Sequence, residues 1–274
     1  MSLPESEPYN GLMLSWRPNL THEPAPAVSE GMTRPPTAPP WGVLDVLKGV
    51  AFPFTVWAVA LGLAIASGAA ADDAVSTGEV IGGLVLTLLL QAVLLGLAAG
   101  LTLRKYGLSW RDLGFRPFPS NLYWTAGAVA IGAHVLIISY AAIVTAVGAG
   151  ALAPQQGLES LFESRAVLPF VGVVTVLTAP VAEETFFRGF VFAGLTRRFG
   201  VVGAALVSGL LFASFHVSSR DSVGLVIPLT VVGVALAGVY RYTGSLWGSI
   251  TAHLIFNLVS FVALTAIVQS GGST

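Results

Sequence analysis

In this chain of 274 residues, 54% are hydrophobic and 10% charged, where a soluble domain carries about 25% charge. The mean hydropathy is +0.80, which excludes a soluble globular fold. The formal net charge of −1 and the lack of any basic tract exclude nucleic-acid binding, and the absence of cysteine excludes a disulfide framework, a thiolate metal site and a cysteine nucleophile.

Residues 1–40 are polar and proline-rich, with Pro24, Pro26, Pro35, Pro36, Pro39 and Pro40. Such a segment cannot bury a core, so it is expected to be a disordered or extended tail. The remaining residues, 41–274, are expected to form one all-α, membrane-embedded domain. Trp41 to Lys48 predicts a short interfacial lead-in with Trp41 at headgroup depth. Apolar runs of about 20 residues, the length needed to cross a bilayer, then predict a polytopic bundle of about seven spans, at 49–68, 80–103, 122–147, 167–192, 201–217, 222–240 and 247–268. Gly96 and Gly100 form a small-xxx-small pair suited to close helix packing. Ser109, followed three residues later by Asp112, predicts the cap of a short helix on the membrane surface.

The basic residues predict the orientation. With the N-terminus inside, Arg17, Arg34, Lys48, Arg104, Lys105, Arg111, Arg116, Arg197, Arg198 and Arg241 collect on one side. The opposite loops hold Arg165 and Arg220, along with the acids Asp72, Asp73 and Glu79. The expected location is a multi-pass protein of a prokaryotic cell membrane with a cytoplasmic N-terminus.

The fourth span carries Glu183, Glu184 and Arg188 in an otherwise apolar run. Charged side chains at mid-helix in a bilayer cost about 2.5–3.5 kcal/mol each on insertion scales and normally face a protein or water-filled interior. At about 100° per residue the two glutamates point in different directions. Glu184 and Arg188, four apart with the acid first, share a face and suit an ion pair, and a purely structural role fits those two as well. Glu183 is left without a local partner, which makes it the candidate for chemistry.

Further polar residues follow in the later spans: His216, then His253 and Asn257, which are four apart on one helix face. Around the tight turn Arg198-Phe199-Gly200, Glu183 and His216 each lie about 16 residues away, hence at similar depth. His253 and Asn257 lie roughly 14 and 20 Å from the turn at Thr243-Gly244, an overlapping depth. His134 and Gln91 are expected to be packing residues, and His22 lies in the tail. A carboxylate that takes a proton from water, an imidazole that orients it and donors for an oxyanion together suit hydrolysis. There is no His-Glu-x-x-His zinc helix and no Gly-x-Ser-x-Gly elbow. A metal, if present, would use Glu183, His216 and His253. Zinc is left open as a cofactor, although an asparagine in the fourth place favours a metal-free water. A proton-coupled transporter or a non-enzymatic immunity or scaffold protein are the rival classes. The first expects charged residues at depth in both halves, and the first three spans have none.

Glu183-Glu184-x-x-x-Arg188, Phe212-x-x-x-His216 and His253-x-x-x-Asn257, in that order, resemble the CPBP intramembrane proteases, the family of type II CAAX prenyl endopeptidases and bacteriocin-processing or immunity proteins. The likeness covers about residues 167–260. It implies a glutamate-dependent endopeptidase whose site lies within the bilayer and opens toward the cytosol, acting on a peptide or protein substrate. By the same resemblance Glu183 is the general base, His216 helps to activate the water, His253 and Asn257 form the oxyanion hole, and Glu184 and Arg188 support the site.

Overall fold

The computed structural model of this chain describes residues 39–67, 76–153, 162, 165–218 and 221–271. All of them fall within one unit, Thr33–Thr274. The tail expectation for residues 1–40 lies outside the described residues up to position 38, as do Asp72, Asp73 and Arg220 from the charge count.

In lipid a spanning segment must satisfy its own backbone polar groups, and apolar runs of this length do so as helices. Six helical runs among the described residues are long and apolar enough to cross a membrane, so the chain is an integral, multi-pass helical bundle. They begin with α1 (Val43–Ser67), α2 (Thr77–Ala99, continued by a π-helical turn over Gly100–Arg104) and α3 (Tyr123–Ala146). Ser76 opens α2 with a capping box, accepting from the Glu79 N–H while Glu79 accepts from the Ser76 N–H. The fourth run, Leu168–Ser214, is 47 residues long. It is not one helix, because Gly200 sits at φ 67°, ψ 178° and reverses the chain. Its legs are α4 (168–199) and α5 (201–214). The bundle closes with α6 (Val226–Thr243) and α7 (Leu246–Gly271), separated by a turn at Gly244.

The seven expected spans therefore have seven helical counterparts, with one qualification. Residues 201–214 extend roughly 21 Å at about 1.5 Å per residue, short of a hydrocarbon core of about 30 Å. The chain turns at Phe215 and His216, so His216 stands just past the end of α5 and not inside a span. Irregular backbone at such a depth is tolerated where protein covers it, and the Val217 carbonyl accepts the Trp57 indole N–H from α1 at 2.9 Å.

Helix α4 is wound unevenly. Val173–Thr178 and Thr185–Phe192 are π-helical and flank the α-helical segment Ala179–Glu184. Pro180, with no N–H to give, interrupts the ladder at the start of that segment. Neighbours take up carbonyls in the second wide stretch. Ser208 donates to Phe187 O at 2.8 Å, and the Trp41 indole donates to Phe190 O at 2.9 Å.

Three local expectations are corrected by these contacts. Trp41 is 1% exposed and anchors the chain to α4, and α1 begins at Val43, so residues 43–48 are the first turns of that helix and not a separate lead-in. Ser109 and Asp112 do pair, with Ser109 N–H and O–H both donating to the Asp112 carboxylate at 2.9 and 2.7 Å, but they close turns and not a helix. Side chains added at Gly96 and Gly100 would meet nothing within 4 Å. The close crossing is elsewhere, between α5 and α6, where a Cβ on Gly233 would lie 2.7 Å from the Gly209 Cα.

The core gathers Trp41, Leu113, Phe186, Phe187, Phe190 and Phe212 around α4, all buried. Lipid tails are as apolar as these side chains, so interhelical contact is held by close packing and hydrogen bonds more than by a hydrophobic driving force. That leaves polar groups inside the bundle as its strongest local ties.

Candidate active site

The site is built around Arg188. Its side chain and that of Glu184 are both 0% exposed, with Arg188 Nη1 donating to Glu184 Oε1 at 2.7 Å. Nη2 donates to the Gly233 carbonyl at 3.1 Å, which ties α4 to α6 at the close crossing. The Phe212 ring lies 4.6 Å from the guanidinium carbon, a cation–π contact. A buried pair of this kind is evidence of a specified geometry more than of stability, since desolvating two charges offsets most of their attraction.

Glu184 has a second partner. The Nδ1 of His253, on α7, lies 2.9 Å from the same Oε1. Nδ1–H is the donor that suits that carboxylate oxygen. His216 is oriented in the same sense, its Nδ1 lying 2.8 Å from the Phe212 carbonyl, which can only accept. Both imidazoles therefore turn Nε2 inward. Those two atoms face Glu183 Oε2, His253 Nε2 at 3.8 Å and His216 Nε2 at 4.0 Å. Among the described residues no group donates to that buried oxygen. Glu183 keeps 19% of its side chain exposed and His216 34%, so the cluster is reached from one side while Glu184, Arg188 and His253 form its floor.

Asn257, one turn beyond His253, donates from Nδ2 to the Thr175 carbonyl at 2.8 Å, in the first π-helical stretch of α4. Glu183, His216 and His253 thus converge on one point, Glu184 and Arg188 lie beneath it, and Asn257 stands to one side with one of its two N–H groups engaged. His134 is placed as a packing residue, held by Ala130 O at 2.8 Å, Ser260 Oγ at 3.2 Å and the Phe256 ring. Gln91 is buried in α2 and its amide nitrogen has no hydrogen-bond partner.

Three inward-facing ligand atoms also have the chemistry to hold a cation such as zinc. Ligand atoms sharing a tetrahedral zinc at about 2.0–2.1 Å stand ~3.3 Å apart. The separations of 3.8 and 4.0 Å are wider, and among the described residues no three such side chains gather as a metal-holding group. The residues as placed do not fit the ion.

Sequence reasoning missed the backbone acceptors, Gly233 O for Arg188 and Thr175 O for Asn257, because a carbonyl carries no side-chain signature. It also passed over Phe212 as more than a motif letter. This ring covers Arg188 and packs against both imidazoles, with centroids 4.5 Å from His216 and 5.7 Å from His253.

Comparison with known proteins falls on this same region. The family described as type II CAAX prenyl endopeptidase Rce1-like matches residues 165–259. A curated protein named "Putative membrane peptidase YdiL", from Bacillus subtilis (strain 168), is 24% identical over 102 residues, which cover 37% of this chain and 40% of that protein. The chain is thus aligned with about two fifths of that relative's length. No solved structure matches. The matched stretch contains Glu183, Glu184, Arg188, His216, His253 and Asn257, and over it the chain is similar to the type II CAAX prenyl endopeptidases, the CPBP resemblance carried by the three motifs.

Proposed function

We propose that the chain is an intramembrane endopeptidase that hydrolyses a peptide bond with water activated by Glu183. The observation that carries this reading is the free Glu183 Oε2 facing two Nε2 atoms whose rings are each held through Nδ1. A water at that point donates its two protons in hydrogen bonds to Glu183 Oε2 and His216 Nε2, and His253 Nε2 carries a proton of its own. Glu183 takes one proton as the water oxygen bonds to the scissile carbonyl carbon, and His216 orients the water. The carbonyl oxygen gains the negative charge. His253, when protonated and balanced by Glu184, donates to it from Nε2, and the second N–H of Asn257 is the other donor. As the C–N bond breaks, the proton held by Glu183 passes to the leaving amine.

The substrate is a peptide or protein segment able to reach the membrane-embedded cluster. Membranes carrying Glu183→Gln should accumulate uncleaved substrate relative to parent membranes, read by quantitative peptide mass spectrometry. Identical peptide profiles would remove the proteolytic reading.

The proposed topology places the N-terminus in the cytoplasm, on the strength of the basic-residue asymmetry. Cysteines introduced singly at Leu152 and Arg198 should differ in labelling by an impermeant thiol reagent on intact cells, with Leu152→Cys labelled and Arg198→Cys protected. Labelling of both from one side would overturn it, and no native cysteine confuses the result.

A further inference from the structure

Away from Glu183, a cavity of about 290 Å³ opens where the loop of residues 107–118 meets the ends of α4, α5 and α6. Trp41, Phe192 and Tyr240 form an apolar floor, and Arg116, Arg241 and Asp112 supply the charge. The Tyr240 hydroxyl is committed to the Leu113 carbonyl at 3.2 Å. Asp112 is committed as well, receiving both Ser109 donors on one oxygen. The Ser109 hydrogen bonds, with a smaller contribution from the Arg116 charge, hold the Asp112 carboxyl below its usual range, so Arg116 is partly offset at longer range while Arg241 is not. Among the described residues neither has a carboxylate within ion-pair reach. Arg116 is nevertheless oriented, because its Nε donates to the Arg111 carbonyl at 2.6 Å and its own carbonyl accepts the Ser245 hydroxyl. Its side chain lines the cavity, and no terminal-nitrogen hydrogen bond holds it among the described residues.

The depth of this cavity is marked by aromatic side chains around it. Trp110, Tyr123, Tyr242 and Trp247 are all well exposed on the same loop and helix ends. Amphipathic rings of this kind sit at the membrane–water interface. Two guanidiniums with no carboxylate in ion-pair reach, over an apolar floor at headgroup depth, match a phosphate diester with an acyl chain beside it, since arginine binds phosphate through paired N–H bonds. Basic pockets between membrane helices bind anionic headgroups on the same principle.

We propose that this cavity binds the headgroup phosphate of an anionic phospholipid, held by Arg116 and Arg241. The full chain in neutral detergent is titrated with phosphatidylglycerol, with phosphatidylcholine and with inorganic phosphate, and retained lipid is counted by native mass spectrometry beside the thermal midpoint. Phosphatidylglycerol should bind about tenfold more tightly than phosphatidylcholine and raise the midpoint, and inorganic phosphate should do neither. The double variant Arg116→Gln/Arg241→Gln should lose that preference. Arg241→Gln alone, which removes an exposed side chain with no hydrogen-bond or ion-pair partner among the described residues, should lose most of it with the fold intact. The control Arg104→Gln/Arg111→Gln removes equal charge outside the cavity and should keep it. Equal retention of the two lipids, or equal loss in both double variants, would overturn the cavity assignment. A midpoint rise with inorganic phosphate matching that with phosphatidylglycerol would overturn the lipid in favour of a soluble anion.

Discussion

Helices α1 to α3 and the block α4 to α6 are built from similar apolar residues yet sit in different solvents. In the most apolar windows of the first three spans only 17%, 22% and 17% of residues are buried within the protein, against 39% for the Leu168–Ser214 run and 56% for Ser222–Thr243. The outer helices turn Phe52, Leu63, Leu86, Leu89, Ile131 and Ile138 outward, where lipid is as good a neighbour as protein. The inner block instead holds a buried ion pair and a glycine crossing, and α7, whose most apolar window is 17% buried, brings His253 to it from the periphery. Hydrophobicity alone therefore places helices in the membrane but does not decide which of them are interior.

The largest stability effect should come from breaking the inner block at its ion pair. Glu184→Gln leaves Arg188 charged and without its carboxylate in a water-poor interior, a loss of typically 3–5 kcal/mol, and it also removes the charge that His253 Nδ1 donates to. A marked fall in thermal midpoint and yield is expected, with partial recovery on adding Arg188→Met. A midpoint equal to the parent's would show that the pair does not organise the block. Next, Gly233→Leu forces a side chain into the α5–α6 crossing, where overpacking costs about 1–3 kcal/mol, and it should loosen the carbonyl that holds Arg188. By contrast, Leu86→Ala or Ile131→Ala on the outer helices should change stability by no more than about 0.5 kcal/mol, and a larger fall would mean these faces meet protein. The smallest expected effect is on metal removal. Incubation with a zinc chelator followed by exchange should leave cleavage unchanged, whereas loss of cleavage restored by zinc would require the three ligand atoms to close around an ion.

These differences explain what could be read in advance. The spans were legible because lipid imposes length and apolarity on each of them, and Gly200 and Gly244 were legible as turns between two such runs. Counting residues outward from those turns brings Glu183, His216, His253 and Asn257 to one depth, and the first three do converge, whereas the Asn257 amide is turned to the Thr175 carbonyl. The uneven winding of α4 was not legible, since π-helical stretches arise from how Pro180 and the packed phenylalanines share the carbonyls, and no residue pattern names them. The burial of Trp41 was not legible for a related reason. Its indole is held by the Phe190 carbonyl, and a backbone acceptor leaves no mark in the sequence. Gly96 and Gly100 have the spacing of a packing motif but face no helix, whereas Gly209 and Gly233, on different helices, have no sequence spacing to recognise.

The central claim is that two adjacent carboxylates have separate tasks, Glu183 accepting a proton and Glu184 holding Arg188 and His253. It is tested most directly by purifying Glu183→Gln and Glu184→Gln beside the parent in detergent and measuring peptide cleavage and thermal midpoint on the same samples. The account predicts that Glu183→Gln loses roughly 10²–10⁴-fold in cleavage, the range of general base catalysis, with the parent's midpoint, and that Glu184→Gln loses stability first. A Glu183→Gln protein that cleaves peptide like the parent would contradict it and leave the Glu183-Glu184 stretch as a structural ion pair.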